Sequence, residues 1–324
     1  MLAVKLLSGT TLEGRVIDPD GEIPESAVWI DLVSPVPPED KMVERAVGVA
    51  VPTREEMQEI EPTSRLYVEN GARYMTATLM CRSESENPTT TAVTFILAGH
   101  RLITVRYDEP RPFSIVANKL ARQCPSGISG ETVLMELLDA IIDRSADILE
   151  RIGGEVDAIS RTIFEPDRPG SGRIPSQEIL RSVGRTGDLT SKARECLVSI
   201  GRLVLYLANE ADGLRWAKDQ RATLKGMQRD VQSLSDHATY LANKITFLLD
   251  AMVGVVTIEQ NNIIKIFSVA AVVLMPPTLV ASIYGMNFKH MPELDFTFGY
   301  PMALILMIVA AIVPYVFFKL KKWL

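Results

Sequence analysis

The stretch IEQNNIIKIFSVAAVVLMPPTLVASIYGMNF, residues 258–288, decides the fold. From Ile266 to Tyr284 it runs 19 residues without a charge, and a second uncharged run of 21 residues extends from Phe298 to Phe318. At ~1.5 Å rise per residue each covers roughly 30 Å, the thickness of a bilayer core. Two such runs side by side are rare in soluble proteins, so they predict two transmembrane helices rather than a pair of buried core helices. The segment between them, NFKHMPELDFT (287–297), is a short polar loop, and KLKKWL (319–324) is a basic cluster with an interfacial Trp323. Lysine-rich flanks mark the cytoplasmic side. The C-terminus is therefore expected in the cytoplasm, the long N-terminal part on the same side, and the loop outside.

One face of the first span differs from the others. Asn261, Ile264, Ser268, Ala271, Met275, Thr278 and Ser282 recur at alternating spacings of three and four, which places them along one side of a helix. Four of these seven are Asn, Ser or Thr, whereas the faces carrying Ile266, Val269, Val273 and Val280 are wholly apolar. In hydrocarbon a polar side chain faces protein or water, so the stripe is expected to point inward. Two readings stay open: tight helix–helix packing through small residues, or the wall of a pore. Two spans cannot enclose a channel, so the pore reading requires a closed ring of several copies. Pro276-Pro277 removes two backbone donors and should bend the helix midway.

Upstream, Met227, Val231, Leu234, Ala238, Leu241, Ile245, Leu248, Met252 and Val255 repeat at spacings of four and three, a sustained heptad seam. No proline interrupts the pattern before Pro276, so one helix is predicted from about residue 214 to about 284, roughly 100 Å at ~1.5 Å per residue. Its seam must be buried. Helices predicted over 131–164 and 176–209, separated by the loop EPDRPGSGRIP (165–175), can cover part of it and other copies of the chain the rest, so the seam is read as a second argument for assembly.

The first 125 residues read as α/β. AVWIDLV (27–33) is strand-like, and PPEDKMVERAV (37–47) is a helix with proline at its start and acids in its first turn. RLYVENGARYMTATLM (65–80) is a hairpin turning at Asn70-Gly71, TAVTFILAGHRLITVRYDE (91–109) a second one turning near Gly99-His100, and 111–124 a helix. The expected fold class is an α+β membrane protein: an N-terminal α/β cytoplasmic domain (1–128), a cytoplasmic helical stalk (129–262) and a transmembrane domain (263–324). Its spans cover about 263–284 and 298–318, with an outer loop 285–297 and a cytoplasmic tail 319–324.

Charge narrows the function. Five of the 34 basic residues and two of the 40 acidic ones fall after residue 262, which leaves the first 262 residues with 29 positive and 38 negative charges. That acidity argues against nucleic acid as a partner, because phosphate binding needs a basic surface. Cys81, Cys124 and Cys196 are scattered and odd in number, unlike a disulfide framework or a zinc cluster, and are read as reduced thiols. MLAVKLLSGTTLEGR (1–15) is too quickly polar for a signal peptide. The three histidines, His100, His237 and His290, are dispersed, and the chain has neither H-E-x-x-H, nor a nucleophile elbow, nor a nucleotide-binding G-x-x-x-x-G-K-[ST]. A membrane-tethered enzyme, or a sensor without a pore, is therefore the weaker reading.

The first span ends in Tyr284-Gly285-Met286-Asn287-Phe288, followed by Met291-Pro292-Glu293-Leu294. Gly285 can allow a sharp exit from the helix, and Asn287 would then present an amide oxygen at the axis of a ring. Neutral acceptors suit a hydrated cation. Mg²⁺ holds its waters tightly, so a site that hydrogen-bonds those waters avoids the dehydration cost. Glu293 and Asp295 in the loop would raise the local cation concentration.

With these residues on two C-terminal spans, the chain resembles the CorA family of magnesium transporters. The likeness runs through residues 258–288, forward through FGYP (298–301) to KLKKWL, and more weakly back to AVWIDLV. The resemblance implies a homopentamer in the bacterial inner membrane, with both termini cytoplasmic, passing Mg²⁺, also Co²⁺ and sometimes Ni²⁺. It implies a selectivity ring from Gly285, Met286 and Asn287 and a pore wall that includes Asn261, Ile264, Met275 and Thr278, with Phe267 or Ser268 near a hydrophobic constriction. It also implies that cytoplasmic Mg²⁺, bound between subunits at aspartates, holds the channel closed. Asp230, in QRDVQSL, resembles one half of such a site, displaced by a helical turn; Asp236 and Asp250 are alternatives, and each is otherwise a solvated helix charge. Mg²⁺ would be substrate and regulatory ligand, with no resident cofactor and no nucleotide. Zinc transport of the related ZntB type is the nearer alternative, although Met286 between Gly285 and Asn287 favours the magnesium-type motif.

Overall fold

The computed structural model describes residues 2–8, 11–17, 21–85, 87–122, 128–165, 175–211, 213, 216–287, 291–292 and 297–321. It divides into two compact units, Met1–Leu249 and Asp250–Leu324.

The first unit is built on a seven-stranded sheet, β1 (Leu2–Ser8), β2 (Thr11–Val16), β3 (Ala27–Val33), β4 (Leu66–Glu69), β5 (Ala72–Cys81), β6 (Thr89–Ala98) and β7 (Arg101–Arg106), in the order β2-β1-β3-β7-β6-β5-β4. Only β3 and β7 run parallel; the other pairs are antiparallel. Both predicted hairpins form as two-residue turns. Asn70 and Gly71 take φ of 49° and 79°, the left-handed pair that a tight hairpin demands, and Gly99 takes φ of 59°. The sequence reading placed no strands before residue 27, yet β1 and β2 pair there as an edge hairpin.

Six of the seven β3 residues are buried, because both sheet faces are covered. On one face Ile30, Leu32, Tyr74, Ile96, Ile103 and Val105 pack with Val43 of α1 (Pro37–Val47) and with Met57 in a short 3-10 turn, Glu56–Gln58. A four-residue helix, α2 (Pro62–Arg65), follows that turn. On the other face Trp29 and Phe95 stand 6.2 and 6.1 Å, ring centre to ring centre, from Phe113 of α3 (Arg111–Arg122). That face also buries an ion pair. Arg106 Nη2 donates to Asp31 Oδ2 at 2.8 Å, Thr104 Oγ1 donates to Asp31 Oδ1 at 2.7 Å, and Trp29 Nε1 donates to Thr104 Oγ1 at 2.9 Å. Every strong group in this network has a partner, as a buried charge requires.

Helices α4 (Gly130–Phe164) and α5 (Ser176–Glu210) match the predicted pair within a residue at each end. Because β4 pairs with β5 only from Ala72 to Met75, the rest of that edge is open. Helix α5 takes it up: the Thr78 N–H donates to Ser199 Oγ at 2.9 Å. The thiols of Cys81 and Cys196, on β5 and α5, are both free and buried, and burial pushes each up to about 12. Cys124 lies outside the described residues.

The long helix α6 runs from Lys218 to Tyr284, 67 residues with Pro276 and Pro277 inside it. It begins four residues later than predicted. Its seam is buried from Met227 to Met252, with Leu234 and Val255 half-buried. Within the first unit the covering elements belong to the same chain: Val231, Leu241 and Ile245 lie against Gly201, Gly153 and Gly187 of α5 and α4. Lys244 Nζ reaches Asp157 of α4 at 2.5 Å, and Phe247 stacks on Phe164 at 6.0 Å. The expected cover of part of the seam by the helices at 131–164 and 176–209 is therefore in place within one chain.

Candidate ion pathway

The second unit holds the end of α6 and α7 (Gly299–Leu320). Both helices are long and apolar enough to cross a membrane, and only 6% of the most apolar window of each is buried inside the chain. Ile266, Leu274, Ile305 and Val313 are all more than half exposed. A soluble protein would hide such side chains, so these are not core helices.

The stripe and the covered face of α6 separate cleanly. Val269 is buried, and Val273, Pro276, Pro277 and Val280 are half-buried. Val269, Val273, Pro276 and Val280 continue the seven-residue repeat of the seam. Asn261, Ile264, Phe267, Ser268, Ala271, Met275, Thr278 and Ser282 are all exposed, with Phe267 and Met275 about 70% so. The stripe is therefore not consumed by packing on the chain's own second span. Both of its readings, close packing and pore wall, now require other copies of the chain.

The one stripe hydroxyl with a defined hydrogen bond faces outward as an acceptor. Thr278 Oγ1 donates to the Leu274 carbonyl one turn back, at 2.8 Å. Its donor is thus committed inside the helix, and what it offers outward is oxygen lone pairs, which suit the positive edge of a hydrated cation. Pro276 and Pro277 have no N–H, so the carbonyls of Val272 and Val273 lose their helical partners and become further acceptors at the same level.

At the end of the helix the Gly285 N–H donates to the Ala281 carbonyl at 3.0 Å and the Met286 N–H to the Ile283 carbonyl at 3.2 Å, tightening the last turn. A Cβ on Gly285 would sit 3.1 Å from that same Ala281 carbonyl. Glycine thus allows this close closure of the turn, and not a left-handed exit. Met286 and Asn287 follow, both exposed. Phe288, Glu293 and Asp295 lie outside the described residues, as does Trp323.

The three aspartates considered for regulation are all exposed on α6. Asp236 accepts from Gln232 Nε2 at 3.0 Å. Asp230 faces α4: burial, then the charges of Asp143 and Glu136, raise the Asp139 carboxyl, and Asp230 adds to that repulsion. Lys119, paired with Glu136, is the nearby counter-charge. Among the described residues no three His, Cys, Asp or Glu side chains of one chain converge on a metal-sized site.

An α/β domain on a helix that runs on into the first of two apolar helices, each long enough to cross a bilayer, defines a two-span membrane protein. The family model described as CorA-like Mg²⁺ transporter protein matches residues 24–322. The chain is 36% identical over 299 residues to the magnesium transport protein CorA of Escherichia coli (strain K12) and 34% identical over 299 residues to that of Pasteurella multocida (strain Pm70), covering 92% of each chain in both comparisons. Among solved structures, the complete CorA magnesium transporter of Methanocaldococcus jannaschii superposes with a TM-score of 0.77 at 16% identity, over 100% of this chain and 99% of that one. The ZntB cytoplasmic domain of Vibrio parahaemolyticus gives 0.57 at 10% identity, over 77% of this chain and 95% of that one. The chain belongs to the CorA family.

Proposed function

We propose that several copies of this chain, five by the family resemblance, surround a common axis and conduct Mg²⁺ into the cell down the membrane potential. The observation that carries the reading is the exposed stripe Asn261–Ser282, which leads without interruption to Gly285-Met286-Asn287. In this reading the Asn287 amides accept hydrogen bonds from the water shell of the ion, so selection does not require the ion to shed it. Ile264, Phe267 and Met275 narrow the path to a hydrophobic collar. Co²⁺ and Ni²⁺ share the six-water shell and would follow. The long soluble part lies on the cytoplasmic side of a bacterial inner membrane, with both termini there. Cytoplasmic Mg²⁺ bridging Asp230, Asp236 or Asp250 to a neighbouring copy closes the path.

The test is Asn287→Ala in the purified full chain, reconstituted in liposomes containing a Mg²⁺-sensitive dye. Mg²⁺ entry should fall at least tenfold while the oligomer mass in detergent stays unchanged. Wild-type entry in this variant would remove Asn287 from selection, and preference for Zn²⁺ over Mg²⁺ in the same vesicles would replace magnesium as the substrate.

A further inference from the structure

In the loop joining β5 to β6, the described residues 82–85, 87 and 88 are gripped by cationic side chains from three helices. Arg111 of α3 pairs with the Glu84 carboxylate. Arg144 of α4 reaches the same carboxylate at 2.9 Å and donates to Ser83 Oγ at 3.0 Å. Arg151, two turns further along α4, donates to the Ser83 carbonyl. From α5, Arg185 donates to the Ser85 carbonyl at 3.3 Å and Lys192 to the Pro88 carbonyl at 3.0 Å. Ser83 is consequently buried, although it sits in a hairpin loop. The hydrogen bond from Arg144, and then the charge of Arg111, hold the Glu84 carboxyl below the usual carboxylate range.

The surrounding charge is nearly balanced. Asp147, Glu155 and Asp188 pair with Arg144, Arg151 and Lys192 on their own helices. The cations are therefore engaged with the loop and with one another's counter-ions, which leaves no basic pocket for a soluble anion. What the arrangement does is mechanical. It fixes the tip of the longest hairpin to α4 and α5, and those two helices line the seam of α6. The attachment of α5 to β5 continues with Ser199 on Thr78 and Glu210 on Arg73 at 3.2 Å.

We propose that the 82–88 loop is a clasp that couples the sheet to the helical layer around α6, so that displacement of the α/β domain is passed to the pathway instead of being lost at a loose joint. The proposal rests on the reading that cytoplasmic Mg²⁺ closes the pathway. It is tested with Glu84→Ala, Arg144→Ala and the exchanged pair Glu84→Arg with Arg144→Glu, each in the full chain. Mg²⁺ entry is measured against Mg²⁺ added on the side of the soluble part, and amide hydrogen exchange is followed in residues 82–88. Each single variant should raise the Mg²⁺ concentration for half-closure at least threefold and speed exchange in the loop, while entry without closing Mg²⁺ stays within twofold of wild type. The exchanged pair should recover part of the shift. An unchanged half-closure concentration alongside faster loop exchange would overturn the clasp alone. Parallel loss of entry and thermal stability, with no recovery in the exchanged pair, would reduce it to a structural staple. A wild-type channel indifferent to Mg²⁺ on that side would overturn the closure reading and the clasp together.

Discussion

Gly130 opens α4 at a point where a side chain has no room. Its N–H donates to the His100 carbonyl at 2.7 Å, and a Cβ there would lie 2.4 Å from the Leu102 nitrogen and 2.5 Å from the Arg101 carbonyl carbon. Both are backbone atoms of β7 and cannot swing aside. Gly130→Ala should therefore cost about 1–3 kcal/mol, as overpacking does, and a thermal melt of the full chain should show the first unit unfolding about 2–12 °C earlier. A midpoint unchanged within 1 °C or so would contradict this geometry. No sequence signal distinguished Gly130 from the chain's other glycines, because the clash comes from a strand about 30 positions away. The Asp31–Arg106 pair was hidden for the same reason: AVWIDLV reads correctly as a strand, but its acid becomes intelligible only when the parallel register sets β3 beside β7. The stripe, in contrast, was readable residue by residue, since helical spacing alone assigns a face.

Among the elements, the hairpins and long helices were legible because their signals are local: glycine turns at Asn70-Gly71 and Gly99-His100, and an unbroken apolar period. The β1–β2 edge hairpin was not, for its strands are short and SGTTLEGR gives no clear alternation. The seam of α6 was legible as a repeat, and the helices at 131–164 and 176–209 as partners for part of it, but not how the cover is shared, because a heptad states that a face is buried and not by what. Leu241→Ala decides between partners. If Leu241 packs on α4 of its own chain, the substitution should destabilise the soluble part by about 2–5 kcal/mol, measured by hydrogen exchange in α4, with oligomer mass unchanged. A variant that dissociates into folded single chains would instead return the seam to the interface between copies.

At the level of the whole molecule, the proposed conduction draws its energy from the membrane potential. A potential of 100 mV contributes ~2.3 kcal/mol per charge, hence ~4.6 kcal/mol for a divalent ion. Vesicles polarised by a potassium gradient with valinomycin should accumulate Mg²⁺ by a factor on the order of 10³, and collapse of the potential should abolish the accumulation without any added nucleotide. Accumulation that persists at zero potential, or that depends on a second ion gradient, would exclude simple conduction. Orientation across the membrane was an expectation from the lysine-rich C-terminal tail, a matter of charge that the sequence states directly.

In the first span Val269, Val273, Pro276 and Val280 fall on the seven-residue repeat of the seam, although Asn262 and Ile266 on that repeat are exposed, and the stripe keeps its own repeat on the far side of the same helix. Such a helix behaves as a camshaft. With side-chain tips about 5–6 Å from the axis, a twist of about 10° carries each tip sideways by about 1 Å. In the proposed reading, a modest roll of the helix would swap which methyl or hydroxyl faces the axis, without lengthening, shortening or breaking the rod.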